Sequence, residues 1–367
     1  MNSRIGSAVL LSLTLAAPVH ALPLPRVHPG SPWYQRIDQA SVHPNSAGPN
    51  GMIATLNGLG GFGFGRMQID FGMHVLYAPA GTPTRNVIQI PSGNPDDAYY
   101  LPDCEPLATP VPLPIGGAIE GETGYTCDNL SNDCHLLVVQ GNEIFEVYRT
   151  NLTVQGMEAQ CLVRWRMDVL YPATGRGEHC TSADAAGFPI APLLFNADEV
   201  FAAVQVADSD LGHALRFILP NPRMASDAAL GGVLGRLYVR PGTHAGGPSG
   251  PAGSVPYGAR LRLRPDFPMA NYSAAAQVIL RTMQRYGIVL ADGGNVALTA
   301  ESDVYTTHKW DEAALQIDSR EFDLTAGAQK IFITDFAVID TGPRIGETYD
   351  CVRSEPQLDS LFANGFE

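Results

Sequence analysis

The sequence predicts an all-β fold: a mainly antiparallel β-sandwich or jelly-roll-like body with one packed amphipathic helix near 273–286. Three observations lead there. Short apolar runs recur from residue 52 onward, each bounded by turn-forming residues. Glycine and proline are abundant, 38 and 29 of 367 residues, which suits a chain that reverses often. Hydrophobic residues make up 45%, enough to close a sizeable core and too many for a disordered chain.

The candidate strands fall at 67–77, 86–90, 135–139, 143–149, 162–170, 214–219 and 236–240, then at 259–263, 288–291, 296–299 and 330–339. Gly141-Asn142 and Asp292-Gly293-Gly294-Asn295 separate neighbouring runs with residues that tolerate positive φ. One segment has helical spacing instead. Ser273 is placed to cap it, Val278, Ile279, Thr282, Met283 and Tyr286 share a face, and Gly287 suits the C′ position. A weaker helix is expected over 310–317. The Pro/Gly-rich stretches 106–117 and 241–256 read as loops, and no internal repeat is present. The expected organisation is a signal peptide at 1–21, an extended lead-in at 22–50, one large β-rich domain at 51–345 and a C-terminal tail at 346–367.

The signal peptide rests on Arg4, the apolar stretch 8–17 and the small-x-small site Val19-His20-Ala21, with cleavage expected near Ala21. That stretch is too short to span a bilayer, and no later run reaches the length of a membrane helix. The expected location is therefore secreted, periplasmic or cell-surface. All six cysteines lie beyond the signal, and an even count in an exported chain points to disulfides. Fifteen pairings are possible. Short closures favour Cys127 with Cys134 and Cys161 with Cys180, which leaves Cys104 with Cys351. No C-x-x-C occurs, so no metal site is expected. With 23 Lys+Arg against 37 Asp+Glu, the formal charge of −14 opposes nucleic acid and anionic membranes as partners.

The cluster Gly58-Leu59-Gly60-Gly61-Phe62-Gly63 matches the dinucleotide-binding glycine pattern, but a run with strand character follows it where that site needs a helix. It reads as a loop, and no cofactor is expected. Protease, P-loop and α/β-hydrolase signatures are missing from the sequence. The chemistry-bearing residues that remain stand at strand starts and turns. His135, Glu146 and Tyr148 belong to one candidate hairpin, where Glu146 and Tyr148 share a face. Asp184 sits among small residues, the composition that close backbone approach needs, and turn capping is its competing role. His213 and Arg216 flank the run 214–219, where a hydrogen-bonded core histidine is the competing reading. Arg260, Arg262 and Arg264 alternate along one run, suiting an anionic ligand or ion pairs over apolar surface. Asp292 and Asn295 lie in the turn after the helix, where turn formation is the competing role and calcium or sugar hydroxyls are also suited.

Several of these segments carry a resemblance. Cys180-Thr181-Ser182-Ala183-Asp184-Ala185-Ala186-Gly187-Phe188-Pro189-Ile190, Ala197-Asp198-Glu199-Val200 and His213-Ala214-Leu215-Arg216-Phe217 resemble a large family of secreted bacterial proteins with fungal relatives. Tyr257-Gly258-Ala259-Arg260-Leu261-Arg262-Leu263 and Tyr286-Gly287-Ile288-Val289-Leu290-Ala291-Asp292-Gly293-Gly294-Asn295 continue it, so that it covers about 125–340. Ile288 replaces the commoner methionine. The resemblance implies export and an extracellular role but no particular reaction. The ending Leu361-Phe362-Ala363-Asn364-Gly365-Phe366-Glu367 is similar to a short tail of exported Gram-negative proteins.

These readings lead to an exported, disulfide-bonded protein that binds or acts on extracellular polysaccharide. As an enzyme it is expected to be of the glycoside hydrolase or polysaccharide lyase type. Glu146, Asp184 and His213 are then the catalytic candidates, and His135, Tyr148, Arg216, Arg260 and Asp292 the ligand-binding ones. The competing function is a non-catalytic surface or matrix protein whose loops, 241–256 among them, hold a protein partner.

Overall fold

The computed structural model describes residues 24–354, so the expected signal peptide and the last thirteen residues, 355–367, lie outside the described residues. The fold is rich in sheet and has few helices, as expected, but the sheets are mixed. A six-stranded sheet runs in the order Ile69–Met73, Leu298–Glu301, Leu215–Leu219, Ile288–Gly293, Arg260–Leu263 and Phe336–Val338. A four-stranded sheet orders Val75–Tyr77, Leu136–Gln140, Glu143–Tyr148 and Cys161–Arg166. A second one orders Pro110–Pro112, Thr84–Gln89, Met157–Ala159 and Asn151–Leu152. Four pairings among the described residues are parallel, which corrects the antiparallel expectation. Parallel neighbours need long crossovers, and alternation within a run does not reveal which run it pairs with.

The apolar residues close two cores. The larger packs around the six-stranded sheet and the helices, and the smaller around the two four-stranded sheets. The run 67–77 serves both. It breaks at His74, so that Ile69–Met73 joins Leu298–Glu301 while Val75–Tyr77 joins Leu136–Gln140. Residues 181–195 weave along the same seam. Ala183, Ile190, Ala191 and Leu194 enter the smaller core, and Ala186, Phe188, Leu193 and Phe195 the larger.

The long helix forms at Ala274–Arg285. Ser273 Oγ accepts from the Ala276 amide at 3.0 Å, and the Ala275–Met283 face is buried in the larger core. Gly287 follows with φ +75°, where a Cβ would meet the Leu261 carbonyl at 2.5 Å. The expected helix at 310–317 does not form. Asp303 accepts from the Trp310 amide, and Trp310 Nε1 donates to the Glu301 carbonyl, pinning the segment as turns. Three helices went unforeseen: Met52–Gly58, which has no side-chain cap, Ala197–Val204, which carries a capping box of Asn196 and Glu199, and the single turn Glu321–Leu324.

The lead-in is part of the body. Leu24, Val27, Trp33 and Ile37 are buried, and Arg260 and Arg262 bind the carbonyls of Pro32, Gln35, Ile37, Asp38 and Ala40. The described part of the tail is integrated too, for Glu347 is fully buried and Cys351 is cross-linked. The disulfides are Cys104–Cys161, Cys127–Cys134 and Cys180–Cys351. Only Cys127–Cys134 follows the short-closure pairing; the other two join segments brought together by tertiary packing. Within the Gly58–Gly63 cluster, Gly58 ends the helix Met52–Gly58 and residues 59–62 form the expected loop. Arg223 donates to the carbonyls of Gly60, Gly61 and Phe62.

Candidate functional site

A cleft of about 670 Å³ opens where the two cores meet. Its floor is the 181–185 stretch, whose conformation is fixed from both sides. Ser182 Oγ donates to the Phe188 carbonyl at 2.6 Å and accepts from the Asp184 amide at 2.9 Å. The Ala186 amide donates to the Ala291 carbonyl. Gly187 has φ +78°, and a Cβ there would fall 2.0 Å from Thr243 Oγ1, so only glycine fits.

Asp184 turns inward from this floor. Arg216 grips it bidentately, Nε to Oδ2 at 3.1 Å and Nη2 to Oδ1 at 3.0 Å, and gives Nη1 to Thr299 Oγ1 at 2.7 Å. Both side chains are buried. Burial opposes the guanidinium charge, but the Asp184 carboxylate, bound bidentately, outweighs it and holds Arg216 firmly charged. The pair is a fork-to-fork ion bridge that fastens the floor to strand Leu215–Leu219.

His135 fastens the same floor to the smaller core. Its Nδ1 lies 2.7 Å from Glu120 Oε2, and its Nε2 lies 3.1 Å from the Ala183 carbonyl. Burial would lower its pKa, but Glu120 prevails and raises it to about 9, so both ring nitrogens donate. Glu146 supplies a third fastening. It accepts from the amides of Ile190 and Ala191 at 2.8 and 2.9 Å and from Trp165 Nε1 at 2.9 Å. Burial lifts it to about 7 against those donors.

None of Glu146, Asp184 and His213, the expected catalytic set, lines the cleft. His213 is fully buried elsewhere, donating Nδ1–H to the Ala214 carbonyl and receiving Arg26 at Nε2. Burial and then Arg26 lower its pKa, so it stays neutral. Arg260 donates to the carbonyls of Pro32, Gln35 and Tyr286 and borders a separate apolar groove of about 650 Å³. His135 and Arg216 lie beneath the floor. Of the expected site residues, Tyr148 and Asp292 reach the cleft.

Asp292 owes its position to a bulge. Along the parallel pair, Phe217 faces Leu290 but Ile218 faces Asp292, so Ala291 is the extra residue. Asp292 Oδ1 accepts from the Gly293 amide at 2.7 Å, while among the described residues Oδ2 has only long contacts of 3.4 Å, to Arg216 Nη2 and the Ala185 amide. Burial, then the nearby Asp184 charge, raise its pKa to about 8 against Arg216.

Three groups were missed by sequence reasoning. His244 lies inside the stretch 241–256, where Gly246 and Gly247 beside it were the only signal. Its Nδ1 donates to the Ala185 carbonyl at 2.6 Å, which fixes the tautomer and leaves the Nε2 lone pair without a protein partner among the described residues. Burial pushes it down to about 4, and the Arg236 and His179 charges act in the same direction. Arg236 is the only arginine or lysine on the cleft lining among the described residues, and it donates to Tyr349 Oη. Tyr349 is the third, alongside Tyr99, Tyr100, Tyr148 and Tyr257 on the walls.

Among the described residues no cluster of His, Cys, Asp and Glu is arranged to hold a metal ion, and no helix is long and apolar enough to cross a membrane. Comparison with known proteins gives no match to any family model, curated protein or solved structure.

Proposed function

We propose that this is an exported protein that binds extracellular polysaccharide in the cleft between its two cores. The observation that carries the reading is the cleft's lining: five tyrosines beside Arg236, His244, Asn221 and Asp292. Sugars present apolar C–H faces and polar rims together, and tyrosine rings match both while losing little rotamer freedom. Three disulfides fit an oxidising compartment. Kinship with the secreted family named above remains part of the proposal and rests on the quoted motifs. The stretch 241–256, the expected protein-binding loop of the competing function, is bridged to Met224 and Ala225 and supplies His244, Gly246 and Gly247 to the cleft wall, which favours a role in the cleft.

Affinity electrophoresis of the disulfide-intact protein through gels holding neutral and acidic polysaccharides tests the reading. Retardation by at least one polymer, reduced tenfold or more in Tyr148→Ala, is expected. Free migration through every polymer would overturn it.

A further inference from the structure

Resting on that reading, we propose that the cleft cleaves polysaccharide linked through O4 of uronate residues by β-elimination, with His244 as base, Asp292 as acid and Arg236 on the uronate carboxylate. Geometry places the pair together. His244 and Asp292 are both tied to Ala185, one through its carbonyl and the other through its amide, so they face the cleft from either side of a single residue. The tautomer fixed at Nδ1 leaves Nε2 as the acceptor. The long Oδ2 contacts leave that oxygen of Asp292 able to carry a proton, and burial beside Asp184 favours its doing so.

The substrate class follows from what this pair can do. A histidine base can remove a carbon-bound proton only where the carbanion is stabilised, and in a sugar the C6 carboxylate does this for C5. Arg236, which is paired with no carboxylate among the described residues and donates to Tyr349 Oη, is the cation that binds this group and takes up the enolate charge. His244 Nε2 accepts the C5 proton. The C5–H electron pair becomes the C4–C5 double bond. The C4–O4 bond breaks with its electrons on O4, which takes the Asp292 proton. Solvent then removes the proton from His244 and returns one to Asp292, so no water, oxidant or cofactor is consumed.

The test is ultraviolet absorbance of the unsaturated product, using the disulfide-intact protein with polygalacturonate, alginate and hyaluronan, and mannan as neutral control. Expected is a rise with a uronate polymer and none with mannan. His244→Ala should slow it by about 10²–10⁴-fold while the variant's urea unfolding midpoint stays close to that of the native protein, which separates lost chemistry from lost folding. Asp292→Asn serves as the second variant, with the same expected pattern. Retardation by a uronate polymer without any absorbance rise would overturn elimination and leave polysaccharide binding standing. New reducing ends without unsaturation would also overturn it, moving the chemistry to hydrolysis. Retention by no polymer would fell both readings.

Discussion

Arg216 and Asp184 were legible as unusual residues but not as partners. They lie 32 residues apart, and Arg216's other contacts lie 76 and 83 residues away. Sequence spacing therefore could not show that Asp184 is neutralised beneath the cleft while Asp292, beside the same guanidinium, is only half engaged. Arg216→Met would leave Asp184 buried and unpaired, at a cost of about 3–5 kcal/mol, read from the midpoint of urea unfolding; an unchanged midpoint would refute the bracing role. His135 makes a pH-dependent prediction. Its folded pKa of about 9 lies above the ordinary 6.5, so the Glu120–His135 contribution is fully present below about pH 6.5 and is lost as pH rises through about 9. Melting temperature should fall across that window in the native protein, and His135→Gln should flatten the fall. The two cleft groups predict a rate plateau. Asp292, facing Asp184, Arg216 and Asp133, must keep its proton, and His244, facing Arg236 and His179, must remain neutral. Cleavage of a uronate polymer should therefore fall below about pH 4 and above about pH 8.

At the scale of elements, local signals were read well wherever they were strong. The helix Ala274–Arg285 announced itself through its cap, its apolar face and Gly287, and Ser273→Ala should cost about 1 kcal/mol. Most strand runs formed close to where alternation put them. Pairing was not legible, because the run 67–77 looks continuous yet feeds two sheets across the break at His74. The disulfides show the same limit. Cys127–Cys134 closes a separation of 7, which proximity in the chain suggests, whereas Cys180–Cys351 spans 171 and depends on the tail returning to strand Gly177–Glu178. Loop-closure entropy gives about 5 kcal/mol for the long closure against roughly 2.5 for the short one. Replacing Cys180 and Cys351 by serine should therefore lower the unfolding midpoint about twice as far as replacing Cys127 and Cys134, and equal losses would contradict that ranking.

For the whole molecule, the decisive feature is the seam. Residues 181–195 alternate between the cores, and Glu146, His135 and Arg216 fix them from both sides. Four of the residues that looked catalytic or ligand-binding in the sequence, Glu146, Asp184, His135 and Arg216, thereby hold a rigid floor, and the groups above it come from stretches that looked like loops. This division follows from the chemistry: charges that must be buried need partners, and partners brought together from distant segments mark the places where a fold is fastened. A ligand across the seam binds only the folded state, so at a hundredfold excess over its Kd it should add about 2.7 kcal/mol of stability. The most direct test is hydrogen exchange of Asp292→Asn, in which turnover is slowed, with and without an oligogalacturonide. Slowed exchange at 98–101 and 244–247, on the two walls of the cleft, is the predicted result. Protection confined to the apolar groove beside Trp33 and Tyr171, or no protection anywhere, would contradict it.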